Sequence, residues 1–142
     1  MYGDAVAGAM TENYTDAALR HWRDAEFLWA DQRIENADQL FGIAAECALK
    51  VALERVSGCR DGAKLSKAYW DHVDKLWDKV PVQNLAHSCL PAVLRQENPF
   101  AEWRIDHRYA ADGSIDRAAA EDRRRATKRL LGAVQLTGTR RQ

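Results

Sequence analysis

The stretch from about Ile34 to Val56 constrains the fold more than any other part of the chain. Apolar residues recur in it at spacings of three and four, the period of one face of an α-helix. Leu40, Ile43 and Cys47 widen this stripe until the predicted helix is nearly apolar all round. Such a helix belongs at the centre of a helical bundle. The stripe itself comprises Ile34, Ala37, Phe41, Ala44, Ala48, Val51 and Ala52.

Gly42 interrupts this helix, where it costs about 1 kcal/mol relative to alanine, so we expect a close helix crossing at that point. Another helix is predicted before it, from Thr15 to about Gln32, with Thr15 or Asp16 as its cap. The next helix covers Leu65 to about Val80 and stops at Pro81.

A shorter helix, Gln83–Leu94, has to be kinked or divided by Pro91. A two-residue alternation of apolar and polar side chains follows over Trp103–Tyr109 and predicts an extended segment. Ser114 then caps a last helix, about Ile115 to Leu136. The Arg-rich outer face of this helix comprises Arg117, Arg123, Arg124, Arg125, Lys128 and Arg129.

These elements predict an all-α, up-and-down bundle of four to five helices with one short extended segment near Trp103–Tyr109. Residues 1–13 are predicted to be a flexible N-terminus, residues 14–136 a single helical domain and residues 137–142 a basic tail. We expect the five tryptophans, which lie at helical spacings, to belong to the core.

The chain of 142 residues has 21 Lys and Arg against 21 Asp and Glu, yet its charge is segregated. Residues 1–57 carry 5 basic and 10 acidic residues, residues 58–102 carry 6 of each, and residues 103–142 carry 10 basic and 5 acidic ones. The neutral sum excludes a uniformly basic nucleic-acid-binding protein. Either the acidic and basic ends pair within the domain, or the basic end contacts a polyanion.

Several classes of protein are excluded by absent motifs. No stretch approaches the ~20 apolar residues of a membrane span, and the N-terminus lacks the basic region of a signal peptide, so we expect a cytoplasmic protein. Cys47, Cys59 and Cys89 are too widely spaced for a disulfide framework or a zinc site, and we expect Cys47 to be a core residue. No cofactor or metal is predicted.

Two stretches of the chain resemble the HEPN superfamily of small α-helical domains. The run Ala37–Lys50 contains Ala44-Ala45-Glu46-Cys47-Ala48-Leu49-Lys50, which is similar to the A-x-E-x-x-L-K of that family's central helix. The run Trp70–Trp77 is similar to the following helix, where His-Asp-Leu or a variant precedes an apolar pair. Trp103–Tyr109 and the closing Arg-rich helix are similar to the family's end, so the resemblance spans about Thr15 to Leu136.

The resemblance implies a helical bundle, often a homodimer, found in bacterial defence, toxin–antitoxin and RNA-processing systems. Many members are metal-independent RNases with an R-x(4–6)-H motif. His21, His87 and His107 have no arginine at the required distance, whereas His72 has Lys67 five residues before it. Lysine lacks the planar fork with which arginine binds phosphate, so this departure favours an interaction module over an RNase.

Candidate site residues fall into three groups. His72 can act as a general acid or base, with Lys67 as a cationic partner, or it packs beside Asp71. Glu46 and Lys50 form either a buried general base with its partner or a structural i,i+4 pair, and the second reading is favoured.

The third group surrounds the predicted extended segment. Arg104 and Arg108 on one face of it can clamp a phosphate, with hydrogen bonds from Asn84 and His87, and His107 is a second candidate for catalysis. Alternatively the segment is a docking element, with Trp103, Ile105 and Tyr109 in the core.

The leading hypothesis is an interaction module that binds RNA or a nucleotide, or a partner protein such as a nucleotidyltransferase-like antitoxin. One alternative is a metal-independent endoribonuclease that uses His72 or His107 with Lys67, Arg104 or Arg108. Another is a dimeric scaffold in which the acidic front of one copy meets the basic end of its mate.

Overall fold

Five α-helices organise residues 11–85 and 88–136, which a computed structural model describes. They are α1 (Tyr14–Ala30), α2 (Ile34–Glu54), α3 (Val73–Leu76), α4 (Leu90–Leu94) and α5 (Arg117–Ala133). Two short strands, β1 (Arg60–Asp61) and β2 (Lys64–Leu65), pair antiparallel, and 3₁₀ turns cover Ser57–Cys59, Lys67–Tyr69, Val82–Leu85 and Ile105–Tyr109.

This arrangement confirms the predicted all-α fold. No helix in the described ranges is both long and apolar enough to cross a membrane. Most of the predicted N-terminal segment, residues 1–10, and the whole predicted basic tail, residues 137–142, lie outside the described residues.

The central helix is α2, as its apolar pattern predicts. It forms a hairpin with α1 and also packs against α5, and from Ala37 to Leu53 most of its side chains are buried. At Gly42 the buried indole of Trp103, from the loop before α5, lies against the helix, and a Cβ added at Gly42 would overlap Trp103 Cε2. The adjacent Phe41 meets α5, because Thr127 Oγ1 donates to the Phe41 carbonyl at 3.1 Å. The glycine therefore makes room for an aromatic ring next to the contact between α2 and α5.

The ends of α1 and α5 use residues other than the predicted caps Thr15, Asp16 and Ser114. Asn13 Oδ1 accepts from the Asp16 N–H at 3.0 Å, and Asp116 Oδ2 accepts from the Ala119 N–H at 3.1 Å. Both helices end on a glutamine with left-handed backbone, Gln32 at φ 64° and Gln135 at φ 63°. The residue after each glutamine donates back into the last helical turn, which satisfies carbonyls that a helix end leaves free.

The predicted helix over Leu65–Val80 is wrong, since only α3 is α-helical there. Gly62, at φ 68°, turns β1 into β2, and the Ser66 N–H donates to the Cys59 carbonyl at 2.9 Å. Leu65, Val73 and Leu76 are buried all the same. The spacing identified buried positions correctly, but a strand, a 3₁₀ turn and a short helix bury them instead of one continuous helix.

Two later predictions have different outcomes. The Gln83–Leu94 segment is divided, as one of its two alternatives required, into a 3₁₀ turn and α4, with Pro91 in the first turn of α4. The extended conformation predicted around Ile105–Tyr109 is wrong, because backbone hydrogen bonds such as Ala110 N–H to the His107 carbonyl curl it into a 3₁₀ turn. Trp103 is buried as expected, but Tyr109 is exposed.

Two ion pairs in the described residues join the acidic first part of the chain to its basic last part. Arg124 binds Glu26 of α1 through two nitrogens, and Arg123 Nη1 contacts both carboxylate oxygens of Asp38 at 3.1 and 3.2 Å. The prediction that Arg123 belongs to the outer face of α5 is wrong, because it is buried against α2. The exposed cations of α5 are Arg117, Arg125, Lys128 and Arg129.

Candidate functional site

A cleft of about 260 Å³ lies between the segment that leads into α3 and the 3₁₀ turn that follows Trp103. It brings together two of the predicted site residues, His72 and Arg104, from distant parts of the sequence. We call it the His72 cleft, and its lining includes Trp70, His72, Asp74, Lys75, Arg104 and Asp106.

His72 is held by a carboxylate of the central helix. Its Nδ1 lies 2.9 Å from Oε1 of Glu46, and Lys50 Nζ donates to Oε2 of the same carboxylate at 3.0 Å. The side chains of Glu46 and Lys50 are 12% and 10% exposed, whereas that of His72 is 53% exposed. A carboxylate at Nδ1 fixes the orientation of the imidazole and leaves Nε2 for a ligand. The Glu46–Lys50 pair is therefore structural, and it also holds His72, a contact that the i,i+4 spacing does not predict.

The side chains around Glu46 are partly shielded from water. Burial lowers the pKa of His21 on α1, assisted by the neighbouring Arg20 and opposed by Asp24 and Glu46. Burial also raises the pKa of the Cys47 thiol to about 12, which agrees with its expected core role. The histidine–carboxylate pair thus lies at a boundary between the core and the open cleft.

Trp70 forms an exposed wall of the cleft, contrary to the expectation that all five tryptophans are core residues. Trp70 is 56% exposed, and its Nε1 donates to the Leu65 carbonyl at 2.9 Å. Lys67 Nζ lies 5.8 Å from the centre of the ring. An exposed indole held by its own N–H offers a fixed flat surface for stacking.

Acidic groups at the cleft are partly neutralised by neighbouring cations. Lys79 bonds to Asp71, and this hydrogen bond lowers the pKa of that carboxyl. Arg104 Nη1 donates to the carbonyls of residues 101 and 103 at 2.7 and 2.8 Å and lies 3.4 Å from Asp74. Lys75 is exposed, and no carboxylate of the described residues lies within 4 Å of it. Lys75, His72 and the free part of the Arg104 guanidinium can therefore meet an anion, with Asp106 nearby.

The other predicted site residues do not join this cleft. Arg108 donates to the Ile105 carbonyl at 2.7 Å and stacks on Tyr109, so the predicted Arg104–Arg108 clamp is not formed. His107 Nδ1 accepts from the Arg104 backbone N–H at 3.3 Å. Asn84 lines a separate cleft near the end of α5, and His87 lies outside the described residues. Lys67 contacts the Trp70 ring without lining the cleft.

Trp70 and Lys75 are site residues that the sequence did not predict. Both lie within three residues of His72, so the signal was present in the run Trp70-Asp71-His72-Val73-Asp74-Lys75. The prediction of a continuous helix concealed it, because successive residues of a helix point in different directions.

Within the described ranges, no group of three or more His, Cys, Asp or Glu side chains is arranged to hold a metal ion. Comparison of the chain with protein-family models, with curated proteins and with solved structures finds no match.

Proposed function

We propose that the chain is a binding module for RNA or a nucleotide and that the His72 cleft holds the ligand. The observation that carries this proposal is the fixed, exposed Trp70 ring beside His72, Lys75 and Arg104. A base stacked on an aromatic ring contributes about 1–3 kcal/mol, and basic side chains bind the adjacent phosphates. The HEPN resemblance supports the same ligand class and a setting in bacterial defence, toxin–antitoxin or RNA processing.

The size and charge of the cleft favour a short stretch of single-stranded RNA. A cleft of about 260 Å³ with three cationic or protonatable groups meets a few phosphates at most. Each phosphate contact to a single strand contributes about −0.7 to the slope of log affinity against log salt concentration. We therefore expect a shallow salt dependence, unlike that of an extended basic surface.

Fluorescence anisotropy with labelled single-stranded RNA at several salt concentrations tests the proposal. Trp70→Ala removes the stacking surface and should weaken binding roughly 5- to 150-fold, which corresponds to about 1–3 kcal/mol. Arg104→Ala should weaken binding less and reduce the magnitude of the salt slope by about 0.7. Phe27→Ala is the matched control, since Phe27 is an exposed aromatic residue of α1 that does not line the cleft.

Two results would contradict an RNA-binding role for this cleft. One is the absence of saturable binding to each single-stranded homopolymer and mononucleotide. The other is equal loss of binding in Trp70→Ala and Phe27→Ala. A dimer in sedimentation equilibrium together with the first result would favour the scaffold alternative instead.

The His72–Glu46 contact favours a second candidate, metal-independent endoribonuclease activity. In this proposal His72 Nε2 removes the proton of a ribose 2′-hydroxyl, whose oxygen attacks the adjacent phosphorus. The bond to the 5′-oxygen breaks, a 2′,3′-cyclic phosphate forms, and the departing oxygen takes a proton from solvent. Glu46 stabilises the imidazolium that results.

Incubation of labelled RNA with the protein in EDTA tests this activity. His72→Ala should abolish cleavage, whereas His107→Ala should retain it, because His107 does not line the cleft. Absence of cleavage by the unchanged protein, or equal cleavage by His72→Ala, would leave the binding role alone.

A further inference from the structure

One carboxylate of the His72 cleft has no role in binding a phosphate. The cleft is lined by three aspartates, Asp71, Asp74 and Asp106. Asp71 is bonded to Lys79, and Asp74 lies 3.4 Å from Nη1 of Arg104. Asp106 is exposed, and within the described ranges its side chain accepts no hydrogen bond and has no cation within 4 Å. Because an unpaired carboxylate repels phosphate, the part of a ligand that lies beside Asp106 has to donate hydrogen bonds.

The turn that carries Asp106 is held in place. Just before it, the buried Trp103 donates its indole N–H to the Asp38 carbonyl at 3.1 Å, which ties this segment to α2. The Arg108 guanidinium donates to the Ile105 carbonyl at 2.7 Å, so it braces the turn instead of neutralising Asp106. The free carboxylate is therefore presented by a fixed element.

The other segment beside the cleft supplies Trp70, whose ring is fixed by the hydrogen bond from its Nε1 to the Leu65 carbonyl. The cleft volume of about 260 Å³ is smaller than the roughly 300–1,000 Å³ of pockets for drug-sized ligands, so the cleft admits one base at a time. A base that stacks on the Trp70 ring keeps its hydrogen-bonding edges free for the rest of the lining, which includes Asp106.

The chemistry of a carboxylate distinguishes among the four RNA bases. A carboxylate has two acceptor oxygens and no donor. Guanine presents its N1–H and its N2 amino group side by side on the Watson–Crick edge. Adenine and cytosine place an acceptor nitrogen next to their amino group, and uracil flanks its single N–H with two carbonyls. Guanine alone therefore forms two parallel hydrogen bonds with a carboxylate and no repulsive contact.

We propose, building on the RNA-binding function proposed above, that the His72 cleft selects guanine and that Asp106 is the residue that determines this specificity. Asp106 accepts hydrogen bonds from N1–H and from the N2 amino group of a guanine stacked on Trp70. The cationic side of the cleft, at Lys75 and Arg104, meets the phosphate of the same nucleotide. A two-bond contact of this kind discriminates against the wrong base by roughly 5- to 150-fold.

Labelled oligouridylates that differ only in one central base test this selection by fluorescence anisotropy. The oligomer with guanine should bind at least tenfold more tightly than those with adenine, cytosine or uracil. Hypoxanthine keeps the N1–H and lacks the amino group, so its oligomer should have an affinity between those of the guanine and adenine oligomers.

Asp106→Asn should weaken binding of the guanine oligomer at least fivefold and should leave binding of the adenine oligomer unchanged or stronger. An effect of charge alone would strengthen binding of both oligomers equally, because the substitution removes a negative group. Asp112→Asn is the matched control, since Asp112 is another exposed aspartate, six residues later, that does not line the cleft. It should leave both affinities within twofold.

Three results would overturn the guanine selection while leaving RNA binding at the cleft intact. They are equal affinity of the unchanged protein for all the oligomers, equal strengthening of guanine and adenine binding in Asp106→Asn, and equal losses of guanine binding in Asp106→Asn and Asp112→Asn. Absence of saturable binding to every oligomer would overturn the RNA-binding function and the selection together. The two failures are therefore distinguishable.

Discussion

Two carboxylates of α2, eight residues apart, meet cations in different ways. Asp38 contacts Arg123 of α5 with both partners buried, and the same arginine also binds the Pro99 carbonyl. Glu46 contacts Lys50 on its own helix and His72 from the cleft, and His72 is half exposed. The first pair ties three segments together inside the protein, whereas the second leads from the core to the surface.

The difference shows how one helix can supply both a structural contact and a site. The distances are similar, 3.1 Å at Asp38–Arg123 and 3.0 Å at Glu46–Lys50, so distance does not distinguish the roles. Access does. Burial raises the pKa of Asp38 against the opposing effect of Arg123, and no face of this pair is open to a ligand. Only the Glu46 group ends in an exposed imidazole.

The largest effect should come from breaking the buried pair. Asp38→Ala leaves Arg123 charged and without its carboxylate in the core, which should lower the free energy of unfolding by about 3–5 kcal/mol. Urea denaturation measures this loss. Glu121→Ala, which removes the exposed partner of Arg125, is the control and should cost less than about 1 kcal/mol. A loss below 1 kcal/mol in Asp38→Ala would remove the structural half of the comparison.

Gly42→Ala should have the next largest effect, since it disturbs the region that Asp38 helps to assemble. The added methyl group meets the Trp103 ring, whose N–H binds the Asp38 carbonyl. Overpacking of this kind lowers the free energy of unfolding by about 1–3 kcal/mol.

Gly132→Ala is the matched control for this substitution. A Cβ at Gly132 meets nothing within 4 Å, and the residue lies in α5. It should stabilise the protein by up to about 1 kcal/mol through helix propensity. Equal signs for the two glycines would contradict the role assigned to Trp103.

The central helix was predictable because its pattern is local and strong. A single α-helix accounts for the spacing of its apolar residues, and both carboxylates lie on it as the sequence implies. The segment after it was not, since Leu65 belongs to a strand whereas Val73 and Leu76 belong to a short helix, and the two elements together produce the spacing of one helix. Periodicity reports which residues are inside without fixing the backbone between them.

The sites were less predictable than the fold, because they depend on contacts between distant segments. His72 was named from its chemistry, but its partner Glu46 lies 26 residues earlier, and no local rule joins them. Arg123 was placed on the wrong face, since three successive arginines give no sign of which one turns inward to Asp38. The sequence alone does not show which carboxylate a given arginine contacts.

Glu46→Gln tests the second half of the comparison and should be milder than Asp38→Ala. It replaces a charged acceptor of Lys50 and His72 with a neutral one, and His72 can still reach solvent. We expect a loss of about 1–2 kcal/mol in the free energy of unfolding, mainly from the buried Lys50 ammonium. His72→Ala should cost less than Glu46→Gln in the same denaturation measurement. A larger loss in His72→Ala would mean that the imidazole is a structural element.

The smallest effect concerns pH and separates the two regions once more. His21, beside the Glu46 group, has a pKa below the ordinary 6.5 because it is partly buried, with Nδ1 unpartnered among the described residues. In the unfolded chain His21 takes up a proton near pH 6.5, whereas in the folded chain it does so only at lower pH. The unfolded state therefore binds more protons in this window, and the free energy of unfolding falls as the pH decreases below about 6.5.

His21→Gln should flatten the pH dependence of stability just below pH 6.5, as measured by urea denaturation at a series of pH values. Phe27→Ala, on the same helix and without a titratable group, should keep the slope of the unchanged protein. If His21→Gln retains the full slope, the titration belongs to another group, and the region around Glu46 is no more sensitive to pH than the buried Asp38–Arg123 pair.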